Sequence, residues 1–180
     1  MKRTRALLQN ALRDLLRERA ISDISVLDIA ERATVNRATF YAHFDDKQAI
    51  MTSVLRDDLH QAFQAQFPEC PDFNRANVLK VAIVVYKFLY SLRSNCPATA
   101  REITGPLSSA VQETVFDMMM YWSKHHPPVG IPDGYTVESL ATVLSWSIFG
   151  GASQWAQSDR KTTAEKHASG LLDLIFREAA

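Results

Sequence analysis

The stretch SVLDIAERATVNRATFYAHFDDK, residues 25–47, decides how the rest of the chain is read. Its pattern predicts two short helices joined by a tight turn and followed by the start of a longer one. Ser25 is placed to cap the first helix, with Asp28 three residues on as its capping-box partner. Ile29, Ala30 and Ala33 put small apolar groups on one face. Asn36 is placed to cap the second helix, expected over Arg37 to Phe44. Phe40 and Phe44 lie one turn apart and have to point into a core. Ala38 and Ala42 are then left facing outward, with Thr39, Tyr41 and His43 at their edges. Two alanines edged by hydroxyls, an imidazole and an arginine make an odd face for plain solvent. They suit a helix lying in a DNA major groove, where small residues let the axis approach and edge groups reach phosphates and bases.

Upstream, Thr4 to Arg19 reads as an amphipathic helix with Leu8, Leu12, Leu15 and Leu16 on its apolar face. It is expected to pack across the two-helix motif and complete a three-helix unit over residues 1–46. The 180 residues allow one medium domain, or a small one joined to a larger one over 47–180, and carry no net charge. A neutral total argues against a protein that coats nucleic acid broadly. Yet residues 1–47 hold nine Lys/Arg against seven Asp/Glu, and the remainder eleven against thirteen, so any phosphate footprint is local. Lys2, Arg3 and Arg5 cluster at its start. Cys70 and Cys96 lack zinc spacing and read as reduced thiols. Arg13 and Asp14 interrupt the first apolar stretch, so no signal peptide is visible, and Lys87 interrupts VAIVVYKFLY, the most apolar one. A soluble, cytoplasmic protein with no membrane partner is expected.

Downstream, either Asp45 or Asp46 can cap a helix that Lys47 opens and that continues to about Gln66 without glycine or proline. An ammonium beside a helix N-terminus favours a phosphate, which makes Lys47 a candidate ligand. Ile50, Val54, Leu55, Leu59 and Phe63 face inward, while His60, Asp57 and Asp58 fit the solvated side. This helix, about 30 Å long at 1.5 Å per residue, can serve as a stiff rod. Phe73 to Arg93 is apolar nearly all round and belongs in the middle of a bundle. A short helical piece lies between Pro97 and Gly105-Pro106, and Leu107 to Lys124 follows as a long helix. Thr136 to about Gln157 contains Gly150-Gly151, which asks either for close approach of another helix or for a kink. The last helix, Thr162 to Glu178, has Leu171, Leu172, Ile175 and Phe176 as its stripe. The fold class is therefore all-α, an N-terminal three-helix unit with a helix-turn-helix followed by a helical bundle, about nine helices in total.

The letters IAERA, then V, then TFYAHF, then DDK, in this order and spacing, resemble the DNA-binding motif of the TetR family of bacterial transcriptional regulators. The resemblance covers about a quarter of the chain, and the remainder agrees in length and helical rhythm. One departure concerns Thr34, where the family usually has glycine. If the turn needs a positive φ there, a β-branched residue is strained. Asn36, Arg37 and Thr39 stand at the end of the helix where base edges are read. Arg37 suits guanine, Asn36 adenine, and the Ala38 methyl a thymine methyl. The resemblance implies that Tyr41, His43, Lys47 and Ser25 hold phosphates. It also implies a small-molecule effector among the central helices, with Tyr86, Tyr90, Phe116, Met119 and Trp122 as candidate liners and Arg93 or His126 as polar anchors. Aromatic and methionine stripes at helical spacing are more ordinarily plain core. Finally, it implies a homodimer through the last two helices, which puts Ser147, Gly150, Gly151, Leu171, Leu172 and Ile175 at the interface. These expectations amount to a repressor that binds a pseudo-palindromic operator and is released by its effector. Two alternatives remain, a regulator without an effector and a helical interaction module that has lost DNA binding.

Nothing points to catalysis: there is no glycine-rich phosphate loop, no His-Glu-x-x-His and no Gly-x-Ser-x-Gly. His125-His126 has no partner four residues on and reads as a surface pair rather than a metal site. No cofactor is expected.

Overall fold

The computed structural model describes residues 2–67, 69–95, 97–128, 131, 134–158 and 162–176. Among them every regular element is helical: α1 (Lys2–Glu18), a 3-10 turn η1 (Ile21–Asp23), α2 (Val26–Arg32), α3 (Arg37–Tyr41), α4 (Lys47–Gln66), α5 (Arg75–Asn95), α6 (Pro97–Glu102), α7 (Thr104–His125), α8 (Val137–Gln157) and α9 (Ala164–Ile175). The all-α expectation holds. The helix starts are written in side chains. Ser25, Asn36, Asp46, Asn74, Thr136 and Thr163 each accept from the backbone N–H three residues on, an orphan donor of the first turn.

Several boundaries differ from expectation by a few residues, and those of α3, α7 and α9 have a physical reason or limit. α3 ends at Tyr41, not Phe44. His43 and Phe44 both donate to the Phe40 carbonyl, an overlapping turn that still delivers Phe44 to the core. α7 begins at Thr104 and runs through Gly105-Pro106. Proline is tolerated there because first-turn N–H groups have no helical partner to lose. α9 begins at Ala164, with Thr163 as its cap, and the expected extension to Glu178 lies outside the described residues.

The chain divides into two compact units, residues 1–58 with 92–110, and residues 59–91 with 111–180. In the first, Leu8, Leu12, Ile24, Ile29, Phe40 and Ile50 are completely or almost completely buried. Polar ties clasp α1 to α4. The Gln9 amide donates to Ser53 Oγ at 2.9 Å and to Asp57 at 2.6 Å, and Arg13 pairs with Asp58 at 2.8 Å. Asp57 and Asp58 are thus only partly solvated. They flank the buried Val54, Leu55 and Leu59 and reach α1 across the edge of that stripe.

In the second unit α5 contributes Val78, Val81, Ala82, Val85, Tyr86 and Leu89 to the core. α7 adds Val111, Val115, Met119 and Trp122. α8 and α9 pack on each other. α8 passes through Gly150-Gly151 without a break, and close approach accounts for Gly151 but not for Gly150. A Cβ there would lie 2.6 Å from Tyr86 Oη and 2.8 Å from Leu171 Cδ2, whereas nothing lies within 4 Å of one at Gly150. Cys70 is a free thiol, and Cys96 lies outside the described residues. Among the described residues no helix is long and apolar enough to cross a membrane.

Candidate nucleic-acid interface

The geometry of α2 and α3 follows from the turn between them. Val35 N–H donates to the Ala30 carbonyl at 2.9 Å and Thr34 N–H to the Glu31 carbonyl at 3.0 Å. That pair of bonds is a Schellman closure, which needs its C′ residue in the left-handed region. The C′ residue is Thr34, with φ +57°. The strain foreseen for a β-branched residue at this position is therefore present, at a cost of about 1–2 kcal/mol.

The same helices are capped with care. Ser25 Oγ accepts from Asp28 N–H, and the Asp28 carboxylate accepts from Ser25 N–H at 2.7 Å and from Ser25 Oγ at 2.6 Å. Those bonds from Ser25, with the Arg19 guanidinium 3.0 Å away, push the Asp28 carboxyl down to about 2. Ser25 has thus given both of its protons to a carboxylate. In this arrangement it is a cap, and its hydroxyl would have to turn away from Asp28 to meet a phosphate. Asn36 Oδ1 accepts from Thr39 N–H at 2.7 Å and from Thr39 Oγ1 at 2.9 Å. Only its Nδ2 donors remain toward the outside, so bidentate reading of adenine would break the cap.

Above these caps the outward face is what the pattern requires. Phe40 and Phe44 are buried, while Asn36, Arg37, Ala38, Tyr41 and Ala42 are exposed and Thr39 and His43 half-exposed. Arg37 leans back on its own helix, donating to Tyr41 Oη at 3.1 Å with its guanidinium 5.4 Å from the Tyr41 ring centre. The proposed base reader and the proposed phosphate ligand therefore form one unit. Lys47 donates its ammonium to the Ile21 carbonyl at 2.6 Å and to the Ile24 carbonyl at 2.8 Å, which leaves one of its three donors for an anion.

Two features here escaped sequence reasoning. Arg5 lies 4.4 Å over the Phe44 ring and donates to Ser53 Oγ at 2.7 Å, so it braces the core from above. Much of the basic surplus of residues 1–47 is also committed. Arg13, Arg17, Arg19 and Arg32 each pair with a carboxylate. The Arg32–Glu18 pair is two-pronged, which lowers the Glu18 carboxyl and raises the guanidinium.

The candidate effector liners are less uniform. Tyr86, Met119 and Trp122 are buried, Phe116 and His126 half-buried, and Tyr90 and Arg93 exposed. Tyr86 Oη meets His167 Nδ1 at 2.8 Å, and burial pushes its phenol up to about 12. Trp122 meets the Phe67 ring edge-on at 5.0 Å between centres, and His126 faces Asp72 at 3.0 Å. The Thr114 hydroxyl, fully buried in the same unit, has no hydrogen-bond partner among the described residues. The candidate interface residues also separate. Leu172 and Gly151 are buried within their own chain, Ser147, Leu171 and Ile175 are half-buried, and Gly150 is exposed. Val143, Trp146 and Leu174 went unnoticed in the sequence, yet they are 49%, 58% and 70% exposed. The signal was there: 143, 146, 147 and 150 repeat at helical spacing along one stripe.

Residues 8–54 match the model for bacterial regulatory proteins of the tetR family. Those residues carry the DNA-binding domain of the TetR family. The chain is 37% identical over 76 residues to the HTH-type transcriptional regulator EthR of Mycobacterium tuberculosis, a match spanning 41% of this chain and 35% of that one. To EthR of Mycolicibacterium smegmatis it is 30% identical over 122 residues, 67% of this chain and 55% of the other. The chain thus matches about a third to a half of the length of these relatives. A TetR-family transcriptional regulator from Pectobacterium atrosepticum shares the fold, with a TM-score of 0.55 at 17% identity over 98% of this chain and 93% of that one.

Proposed function

We propose that this TetR-family chain is a cytoplasmic, sequence-specific DNA-binding regulator acting as a homodimer, most simply a repressor of the genes it adjoins. The observation that carries this reading is the outward face of α3. Two exposed alanines lie above two buried phenylalanines, edged by Arg37, Thr39, Tyr41 and His43. Arg37 reads guanine, Ala38 meets a thymine methyl, and Tyr41, His43 and the remaining donor of Lys47 hold phosphates. Ser25 and Asn36 act chiefly as caps that hold the two helices at their angle. The exposed stripe of α8, with Val143, Trp146, Ser147 and Gly150, and the exposed Leu174 of α9 supply the dimer face. Two recognition helices about 34–36 Å apart would then read a pseudo-palindrome.

Selecting bound duplexes from a random pool tests binding, symmetry and half-site spacing at once. A pool that returns no enriched sequence, or an enriched one without dyad symmetry, overturns the reading. With the selected operator in hand, Arg37→Ala should weaken operator binding by about 1–3 kcal/mol while leaving random DNA nearly unaffected. Tyr41→Phe should weaken both, since it removes a phosphate partner.

A small-molecule effector bound in the second unit would release the operator by favouring another tilt of α4. Complete switching needs about 5.5 kcal/mol of differential binding. Thr114 favours this version, because its buried hydroxyl lacks a partner that a ligand can supply. A regulator without an effector is favoured by a different observation. Tyr86 is fully buried against His167 and packs too closely on Gly151 to leave room for a methyl group.

A further inference from the structure

The sequence places residues 92–110 far from the recognition stretch, yet they fold into the same compact unit. Thr99, Ile103, Leu107 and Ala110 are buried there, and α6 packs on η1. At that contact the Glu102 carboxylate accepts from Ser22 N–H at 3.0 Å and from Ser22 Oγ at 3.3 Å, eighty residues apart in sequence. η1 is thereby held on two sides. Glu102 takes its N–H side, while the Lys47 ammonium of α4 takes the carbonyls of Ile21 and Ile24. The residue after Ile24 is Ser25, the cap of α2. The α1–α2 connection is therefore tied to both neighbours: Ser22 donates to α6, the Ile21 and Ile24 carbonyls accept from α4, and the next residue is the cap of the first helix of the DNA-binding motif.

We propose that Glu102 is a positioning residue for the recognition unit, and that the Glu102–Ser22–η1 contact carries changes in α6 to the α2 cap. This rests on the reading of α3 as the DNA-contacting helix, and it adds a route besides the tilt of α4. α6 is suited to the task by its place in the chain. It is a six-residue helix between α5 and α7, and both of those continue into the second unit. A displacement of either long helix reaches α6 through the backbone itself. The tie is exposed and charge-assisted, strong enough to bias a pose and weak enough to be rearranged.

Coupling is reciprocal, so it can be read without any effector. Hydrogen exchange of the full chain is compared with and without the selected operator. In the wild type the operator should raise protection not only in residues 22–44 but also in 99–107. In Glu102→Ala the protection at 22–44 should persist on saturating operator, while that at 99–107 should vanish. Operator affinity should fall about fivefold, the loss of one charge-assisted contact. Glu102→Gln, whose amide oxygen still accepts from Ser22 N–H, should restore most of both. Should Glu102→Ala fold poorly, Ser22→Ala removes the hydroxyl half of the contact and should give a smaller loss of the same kind. Operator-bound wild type with unchanged exchange at 99–107 would overturn the inference and leave the DNA reading standing. A wild-type chain that binds no selected duplex would overturn both, and that result is visible before any variant is made.

Discussion

Among the described residues, the exposed faces of α3 and α8 are opposites in character. On α3 the exposed surface is small and polar-edged: Ala38 and Ala42 at the centre, with Arg37, Thr39, Tyr41 and His43 around them. On α8 it is large and apolar, with Val143 and Trp146 beside Gly150. A bare methyl surface beneath a ring of donors gains little from excluding water and much from meeting an array of acceptors. An exposed indole gains chiefly by being covered. On the proposed reading, the first face meets a polyanion with readable edges and the second meets another copy of this chain. Exposure alone would treat them as equals, and side-chain chemistry separates them.

The largest test of that separation is Trp146→Glu. If the α8 face joins two copies, a central aromatic anchor replaced by a carboxylate should weaken self-association by more than about 2 kcal/mol. Sedimentation at micromolar concentration should then show monomer, and operator binding should weaken with it, because one half-site contact is lost. The isolated chain should keep its helical content. A variant that still sediments as a dimer would remove α8 from the interface.

The adjacent glycines sharpen the same contrast within one helix. Gly151→Ala puts a methyl group 2.6 Å from a phenol oxygen that is buried and held by His167. The gain in helix propensity, about 1 kcal/mol, should be outweighed by the displaced ring, for a net loss of about 1–2 kcal/mol in thermal or denaturant unfolding. Gly150→Ala meets nothing within 4 Å in its own chain and should stabilise the monomer by about 1 kcal/mol. If Gly150 lies where two copies approach closely, the same change weakens the dimer. Opposite signs in the two measurements would place Gly150 at the seam.

How much of this was legible in the sequence depended on range. Caps, helices and the recognition motif are local. Ser25, Asp28, Asn36 and the Phe40/Phe44 pair announced themselves by spacing, and the Thr34 departure foretold a left-handed residue. What spacing could not show was which polar groups would be used up by distant partners. Lys47 looks like a wholly free ammonium until Ile21 and Ile24 take two of its three donors, and Asp57 and Asp58 look fully solvated until α1 lies beside them. The candidate dimer residues divide for a related reason. Leu172 and Gly151 are as apolar or small as an interface needs, but their own chain reaches them first. Only the packed structure shows that Trp146 and Leu174 stay exposed.

Thr34→Gly probes the foundation of the α3 face. The left-handed conformation costs threonine about 1–2 kcal/mol, while glycine adopts it freely but loses more backbone freedom on folding. The net should be a stabilisation of roughly 0.5–1 kcal/mol, read as a higher denaturation midpoint at unchanged slope. Operator affinity should hardly change if Thr34 serves only the turn. An affinity change larger than the stability change would mean that the strain sets the angle at which α3 is presented.

The smallest effect tests whether the polar edge of the first face depends on its caps. Asp28 titrates near 2 in the folded chain, held down by Ser25 and Arg19, against 3.8 for the free group. A carboxyl depressed by folding contributes stability that is complete above its unfolded value and is lost as the pH falls through the folded one. The α2 cap should therefore stay intact down to about pH 4 and give way between about pH 4 and 2. Exchange of the Ser25–Asp28 amides, corrected for the intrinsic pH dependence, should speed up in that window and not above it. Asp28→Asn keeps an acceptor without the charge, so its exchange should lose the pH dependence while remaining faster than wild type at pH 6. If wild-type exchange instead changes well above pH 4, the capping box does not govern this end of the helix.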